Sequence, residues 1–228
     1  MPETSREISA AARETAKWLL DIKAVNFRPQ DPYIFTAGWA SPVYIDCRWV
    51  ISFIDARRRM IEMGVEMLKN EGALDGVAQV AGGETAGIPY AAWISEATSI
   101  PMLYIRKKPK GFGRDAQIEG NMPEGSKVLL VEDLASDGGS KVNFVNAIRA
   151  AGAEVSDIFV VFFYDIFPGA LKTLDDADVK LHYLCTWHDV LRVAADGQYF
   201  APDAISEVQK FLNDPVSWSA AHGGRSEI

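Results

Sequence analysis

Chemistry-capable residues are densest in Val128-Leu129-Leu130-Val131-Glu132-Asp133-Leu134-Ala135-Ser136-Asp137-Gly138-Gly139-Ser140. The pattern predicts a buried strand from Lys127 to Val131, two carboxylates at its end, a small-residue loop, and a helix over Gly139 to Ala151. In open α/β sheets ligands sit beyond the carboxyl ends of the strands. Here the loop N–H groups and the helix N-terminus favour an anion, and Gly138 and Gly139 let the backbone approach it closely. Glu132 and Asp133 do not suit a phosphate. They suit hydroxyl groups or a hydrated magnesium ion. One ligand that meets both demands is a sugar with vicinal hydroxyls and a phosphate. Asp137, an acid inside the loop, has to point outward from any bound phosphate. The competing account is a plain strand-to-helix turn with solvated acids and glycines that only make the corner.

Cations are concentrated elsewhere. Arg106, Lys107, Lys108 and Lys110 fall within five positions, interspersed with Pro109, Gly111 and Gly113, in a chain of net charge -8. Such a loop reads as a movable anion clamp that excludes water when it closes, or as a solvated basic loop. Gly82-Gly83-Glu84-Thr85-Ala86-Gly87-Ile88-Pro89 follows a predicted strand and opens a helix. Its N–H groups can face a second anion, or it is another strand–helix turn. The run from Tyr33 to Asp46 predicts two short strands around a Gly-containing turn, with an edge hairpin as the bland account.

Taken together and in their order along the chain, these four segments resemble the type I phosphoribosyltransferases, and within them the orotate-using branch. The match covers roughly residues 35–151. The resemblance implies transfer of the phosphoribosyl group from phosphoribosyl diphosphate (PRPP) to orotate, giving orotidine 5′-monophosphate and pyrophosphate in pyrimidine (UMP) biosynthesis. It implies Lys110, Arg106 and Asp133 as catalytic residues. Substrate contacts would come from Arg106, Lys107, Lys110, Glu84 and Thr85, together with Glu132, Asp133, Leu134, Ala135, Ser136, Asp137, Gly138, Gly139 and Ser140. Ser136 would touch both orotate and the ribose phosphate region. Magnesium (Mg2+) is implied as cofactor, held mainly by PRPP and water rather than by protein ligands. A homodimer is implied, with the catalytic loop shared across the interface. Four positions depart from common members: Phe112 stands where histidine is frequent, Ala37 and Ala86 where some carry lysine, and Ile166 where some carry an orotate-binding arginine. Arg48 is then the cation assigned to the orotate carboxylate.

These segments need a scaffold, and the rest of the chain supplies one. Strands are expected at Gly76 to Ala81, Met102 to Arg106, Lys127 to Val131, Ile158 to Tyr164 and Val179 to Cys185. Helices are expected at residues 4–23, from Ser52 to about Asn70, and at Gly87 to Thr98, with a polar loop from Lys107 to Asn121. Short apolar strands separated by amphipathic helices require a parallel sheet covered on both faces. The fold class is therefore α/β, and the resemblance implies a type I phosphoribosyltransferase-like parallel sheet flanked by helices, with a small N-terminal hood and a mobile catalytic loop. The expected division is an N-terminal helix and hood over 1–46, a core over 47–215 and a flexible tail over 216–228.

At 228 residues with 48% hydrophobic and 24% charged side chains, the chain can bury a sizeable core. Its negative charge excludes a nucleic-acid coat, which needs a basic surface. The two cysteines, Cys47 and Cys185, have no disulfide or zinc spacing and read as buried thiols. His182, His188 and His222 lie outside every matched segment and read as structural or surface residues. The six tryptophans read as packing. The N-terminus lacks a secretory pattern and the most apolar run, Ile158 to Phe167, is too short to span a bilayer, so the expected location is cytoplasmic, without membrane contact. Two other functions compete: a purine or other nucleobase phosphoribosyltransferase, and a PRPP-sensing regulator.

Overall fold

Strands that are apolar on both faces need helices on both, and the structure provides them. It is a computed structural model that describes residues 7–35, 38–111, 117–167 and 169–226. Along the chain come α1 (Ala10–Asp21), β1 (Val25–Phe27), β2 (Tyr33–Ile34), β3 (Ala40–Ser41), β4 (Val43–Ile45), a 3-10 turn (Cys47–Ser52), α2 (Ile54–Asn70), β5 (Gln79–Gly83), α3 (Gly87–Thr98) and β6 (Met102–Ile105). Then follow β7 (Ile118–Glu119), β8 (Lys127–Ala135), α4 (Gly139–Ala150), β9 (Glu154–Phe163), α5 (Ala170–Asp175), β10 (Lys180–Thr186), α6 (Trp187–Asp196), α7 (Pro202–Asn213) and α8 (Pro215–Ala221). The chain divides into two compact units, one of residues 54–164 and 168–184, the other of residues 1–53, 165–167 and 185–228.

The first of these carries a six-stranded sheet in the order β10-β9-β8-β5-β6-β7. Strands β6, β5, β8 and β9 are parallel neighbours, and β7 closes the edge antiparallel to β6. Alternation along each strand sorts the side chains between two helical layers. Val128 and Leu130 of β8 and Ile158 and Val160 of β9 share a buried cluster with Phe144, Val145 and Ile148 of α4. Phe159 lies toward the opposite layer, where a Cβ on Gly64 of α2 would stand 2.5 Å from its ring. Glu132 follows Leu130 by two positions, so its side chain is delivered to the α4 face.

The other unit pairs β1 with β4 and β2 with β3, both antiparallel, beside α1, α6, α7 and α8. Ser9 caps α1 by accepting from the Ala12 N–H at 3.0 Å. Thr186 and Asp189 form a reciprocal capping box on α6.

Several elements differ from expectation. Strand β8 continues four residues beyond Val131, because Leu134 and Ala135 pair with Phe162 and Phe163. Glu132 and Asp133 therefore belong to the strand and are buried. Strand β9 begins at Glu154, since its first half alternates exposed and buried positions and is not uniformly apolar. The polar loop over 107–121 contains β7, and the run from Tyr33 to Asp46 holds a third short strand, β4, beyond the expected pair β2 and β3. The tail expected to fray is helical as far as Ala221: α8 buries Trp218, whose indole N–H donates to Glu207 at 2.8 Å. Ser219 accepts from the Ala40 N–H at 3.0 Å, and the Arg225 N–H donates to the Gly38 carbonyl at 2.7 Å. Its small polar composition looked unfit for packing, and long-range pairing supplies the order.

Candidate active site

The described residues of the three loops predicted to hold phosphate and diphosphate fall in the sheet-bearing unit, whereas Arg48 falls in the other. β8 ends at Ala135, Ser136 and Asp137 turn the chain, and Gly138, at φ +82°, hands it to α4 as N-cap. That left-handed conformation favours glycine, and a Cβ there would also meet the Ala170 carbonyl at 3.2 Å. Asp137 is exposed, as a phosphate loop requires. It is not idle: its Oδ1 accepts from the Gly139 N–H at 3.1 Å, so it occupies one donor of the cradle. Ser140 is exposed beside it.

Behind the loop the acids are closed in, Glu132 at 5% and Asp133 at 8% exposure. Burial pushes Glu132 up to about 7; the Lys141 ammonium pulls it back and the neighbouring Asp133 charge adds to the rise. Asp133 is raised by burial too, again opposed by Lys141. Lys141 is itself buried, with Nζ 3.7 Å from Glu132 Oε2 and donating to Ser140 Oγ at 3.3 Å. Sequence reading missed this lysine. The available signal was a cation in the first turn of a helix, where the macrodipole opposes it.

The β5–α3 loop packs directly against these acids. A Cβ on Gly83 would overlap Glu132 Oε1 and stand 2.7 Å from Phe144 Cε2. A Cβ on Gly87 would overlap the Val131 carbonyl and stand 3.2 Å from Glu132 Cα. These glycines exist for close approach between two strand ends. The Glu84–Thr85 peptide bond is cis, and Thr85 is exposed. Glu84 ties this loop to the basic one, since its Oε2 accepts from the Lys107 N–H at 2.8 Å and its N–H donates to the Ile105 carbonyl at 2.8 Å.

The basic loop is the continuation of the β6–β7 hairpin. The Arg106 N–H donates to the Gln117 carbonyl at 2.8 Å and Gln117 Nε2 donates back at 3.0 Å. Glu119, also missed, collects two cations: Arg106 Nη1 at 3.5 Å and Lys110 Nζ at 3.6 Å from its Oε1. Arg106 Nε is buried with no hydrogen-bond partner. Lys107, Lys108 and Lys110 are exposed. Phe112 and Ala37, two of the departures, lie outside the described residues.

In the other unit, Arg48 spends its fork on Asp46, with Nε to Oδ1 at 2.7 Å and Nη2 to Oδ2 at 2.9 Å, and Nη2 also donates to the Tyr44 hydroxyl at 3.1 Å. An anionic base would have to compete with that carboxylate. Ile166 is buried. Of the histidines, His188 and His222 are exposed, while His182 is enclosed between Glu71 Oε2 at 3.0 Å from Nδ1 and Asp157 Oδ1 at 2.8 Å from Nε2. Both cysteines are buried and free. No described helix is long and apolar enough to cross a membrane.

No protein-family model matches the chain. A curated protein of Ruegeria sp. named orotate phosphoribosyltransferase is 50% identical over 97% of this chain and 98% of its own length. A protein of the same name from Allorhizobium ampelinum is 45% identical over the whole of both chains. Among solved structures, orotate phosphoribosyltransferase from Aeropyrum pernix superposes with a TM-score of 0.68 at 26% identity, covering 82% of this chain and 99% of that one.

Proposed function

The chain belongs to the orotate phosphoribosyltransferases, and from that premise we propose how its own residues carry the reaction. The enzyme transfers the phosphoribosyl group of PRPP to orotate, forming orotidine 5′-monophosphate and pyrophosphate. The bond from the anomeric carbon to the diphosphate oxygen breaks, and a bond to a ring nitrogen of orotate forms as that nitrogen gives up its proton to the departing diphosphate or water. Positive charge builds on the ribose while negative charge gathers on the departing diphosphate.

In this reading the N–H groups of Ser136 to Ser140 hold the 5′-phosphate, with Gly138 giving the turn its shape. Asp137 gives up the Gly139 N–H as the phosphate arrives. Leu134 and Ala135 wall the site at the strand end. Glu132 and Asp133 accept hydrogen bonds from the ribose hydroxyls, and Asp133 places a negative charge near the cationic sugar. Glu84 and Thr85 present the β5–α3 loop to the diphosphate. Arg106 and Lys110 move from Glu119 to the diphosphate and Lys107 joins them there, where their attraction strengthens as charge develops. The unpartnered Arg106 Nε gains an acceptor in that step.

Among the described residues no group of three or more His, Cys, Asp or Glu side chains is placed to hold a metal ion. Two buried acids with a lysine against them suit outer-sphere contacts, so magnesium would be carried by diphosphate oxygens and water, neutralising charge on the leaving group. We assign the enzyme to the cytoplasm and to a homodimer in which the basic hairpin serves the neighbouring subunit's site.

The observation that carries this reading is the gathering, in one unit, of the buried acids, the glycine-capped loop and the basic hairpin. Orotate consumption followed by ultraviolet absorbance tests it: loss of absorbance should require PRPP and magnesium together. Turnover of hypoxanthine, guanine, adenine or uracil with none of orotate would overturn it.

A further inference from the structure

The least expected group near the acids is Lys141. It occupies the third position of α4, where the helix dipole already places positive charge. It is 6% exposed, although burying an ammonium is costly unless a counter-charge repays desolvation. The counter-charge is Glu132, 3.7 Å away and equally enclosed. Lys141 also donates to Ser140 Oγ at 3.3 Å, so one side chain bridges the acid pair and the loop proposed for the 5′-phosphate.

We propose that Lys141 is a positioning residue for PRPP binding: it holds the Glu132 carboxyl group in place, opposes its protonation, and ties it to the phosphate loop. This rests on the phosphoribosyltransferase reading given above. Glu132 faces a desolvated space closed by Gly83, Phe144 and Asp133. Within that space Lys141 is the cation whose charge lowers the proton affinity of both acids. Without it, the two adjacent buried acids would keep a proton to still higher pH, and a protonated acid is a weaker acceptor for ribose hydroxyls. The ammonium also lies under a loop that must receive a phosphate, so its charge acts with the helix N-terminus there.

The test compares wild type with Lys141→Met, Lys141→Arg, Glu132→Gln and the Glu132→Gln/Lys141→Met pair, measuring PRPP binding by calorimetry and kcat and KM across pH. Thermal unfolding checks that each variant is folded. Lys141→Met should weaken PRPP binding about tenfold or more, the range for loss of a charged contact. Its kcat should fall less, and the acid limb of kcat/KM should move to higher pH. Lys141→Arg should restore the limb. In the Glu132→Gln background, removal of the lysine should cost much less, because there is no carboxylate left to hold. An equal penalty in both backgrounds, or an unmoved pH limb, makes Lys141 a fold element only and overturns the proposal. If Lys141→Met does not fold, the comparison of Lys141→Arg with the doubly substituted protein decides: a limb moved in Lys141→Arg, or binding lost beyond Glu132→Gln in the pair, overturns it. Wild type that binds no PRPP would instead refute the functional reading itself.

Discussion

Replacing Gly83 by alanine should damage fold and site together, because its missing Cβ is the space that Glu132 occupies. A methyl group there would overlap Glu132 Oε1, stand 2.8 Å from Glu132 Cδ and 2.7 Å from Phe144 Cε2, where real contacts lie beyond 3.4 Å. The carboxylate would have to withdraw by about one bond length, ~1.5 Å, in a core with no slack. Withdrawal would lengthen its contact with Lys141 and tilt the Phe144 ring. Overpacking of this kind costs about 1–3 kcal/mol. With a urea slope of about 2 kcal/mol per molar, the unfolding midpoint should fall by roughly 1 M. The KM for PRPP should rise in parallel. Glu132→Asp shortens the side chain by one carbon and withdraws its carboxylate by a similar amount. Gly83→Ala/Glu132→Asp should therefore recover part of the midpoint, with the Phe144 contact setting the remainder. A Gly83→Ala protein with wild-type midpoint and wild-type KM would refute the argument that this glycine makes room for the acid.

Lys110→Ala should lower kcat by ~10²–10³-fold with little change in PRPP affinity, since its contact grows as the diphosphate leaves; stopped-flow turnover against equilibrium binding separates the two, and an unchanged kcat removes the residue from the mechanism. Glu132 is held near 7 by burial against an ordinary 4.5, so the folded protein retains a proton that the unfolded chain releases. Its contribution to stability should decline as pH rises from 4.5 to about 7, and a pH series of melting temperatures should lose that slope in Glu132→Gln. Glu71 and Asp157 behave oppositely: hydrogen bonds to Lys180 and His182 for the first, and to Ser156 and His182 for the second, lower their proton affinity despite opposing desolvation. Their stabilisation is complete above the unfolded carboxylate range and lost as pH falls through the folded values, which acid titration of the melting temperature should record. His182→Ala removes two contacts to carboxylates and should cost about 2–3 kcal/mol in urea unfolding while leaving kcat near wild type; a normal midpoint would remove His182 as a tie between α2, β9 and β10.

Much of this molecule could be read locally. Helix α3 runs from Gly87 to Thr98 and α4 starts at Gly139, as the glycine punctuation and apolar spacing predicted. The run from Val128 to Val131 is too apolar to be anything but a strand covered on both faces. Where prediction slipped, the deciding interaction was remote in sequence. Polar Glu132 and Asp133 looked like the end of a strand, but pairing with β9 carries β8 through them to Ala135. Ile118 and Glu119 lack a strand pattern and become β7 through the ladder to β6. The tail has loop composition and folds because Ser219 and Arg225 find partners near Ala40 and Gly38.

The same division holds for the site. Residue types and order alone determined that a glycine-containing strand-to-helix loop, an acid pair and a cationic segment exist, because glycine, carboxylate and ammonium chemistry is carried by the residues themselves. Which of these groups meet was decided only in three dimensions. Lys141 is adjacent in sequence to Ser140 but reaches Glu132 only because α4 lies along β8, and Glu119 meets Lys110 only because β7 turns back on β6. Charge state follows the same rule: the rise of Glu132 to about 7 comes from burial under Gly83 and Phe144, a property of packing that no single residue type encodes.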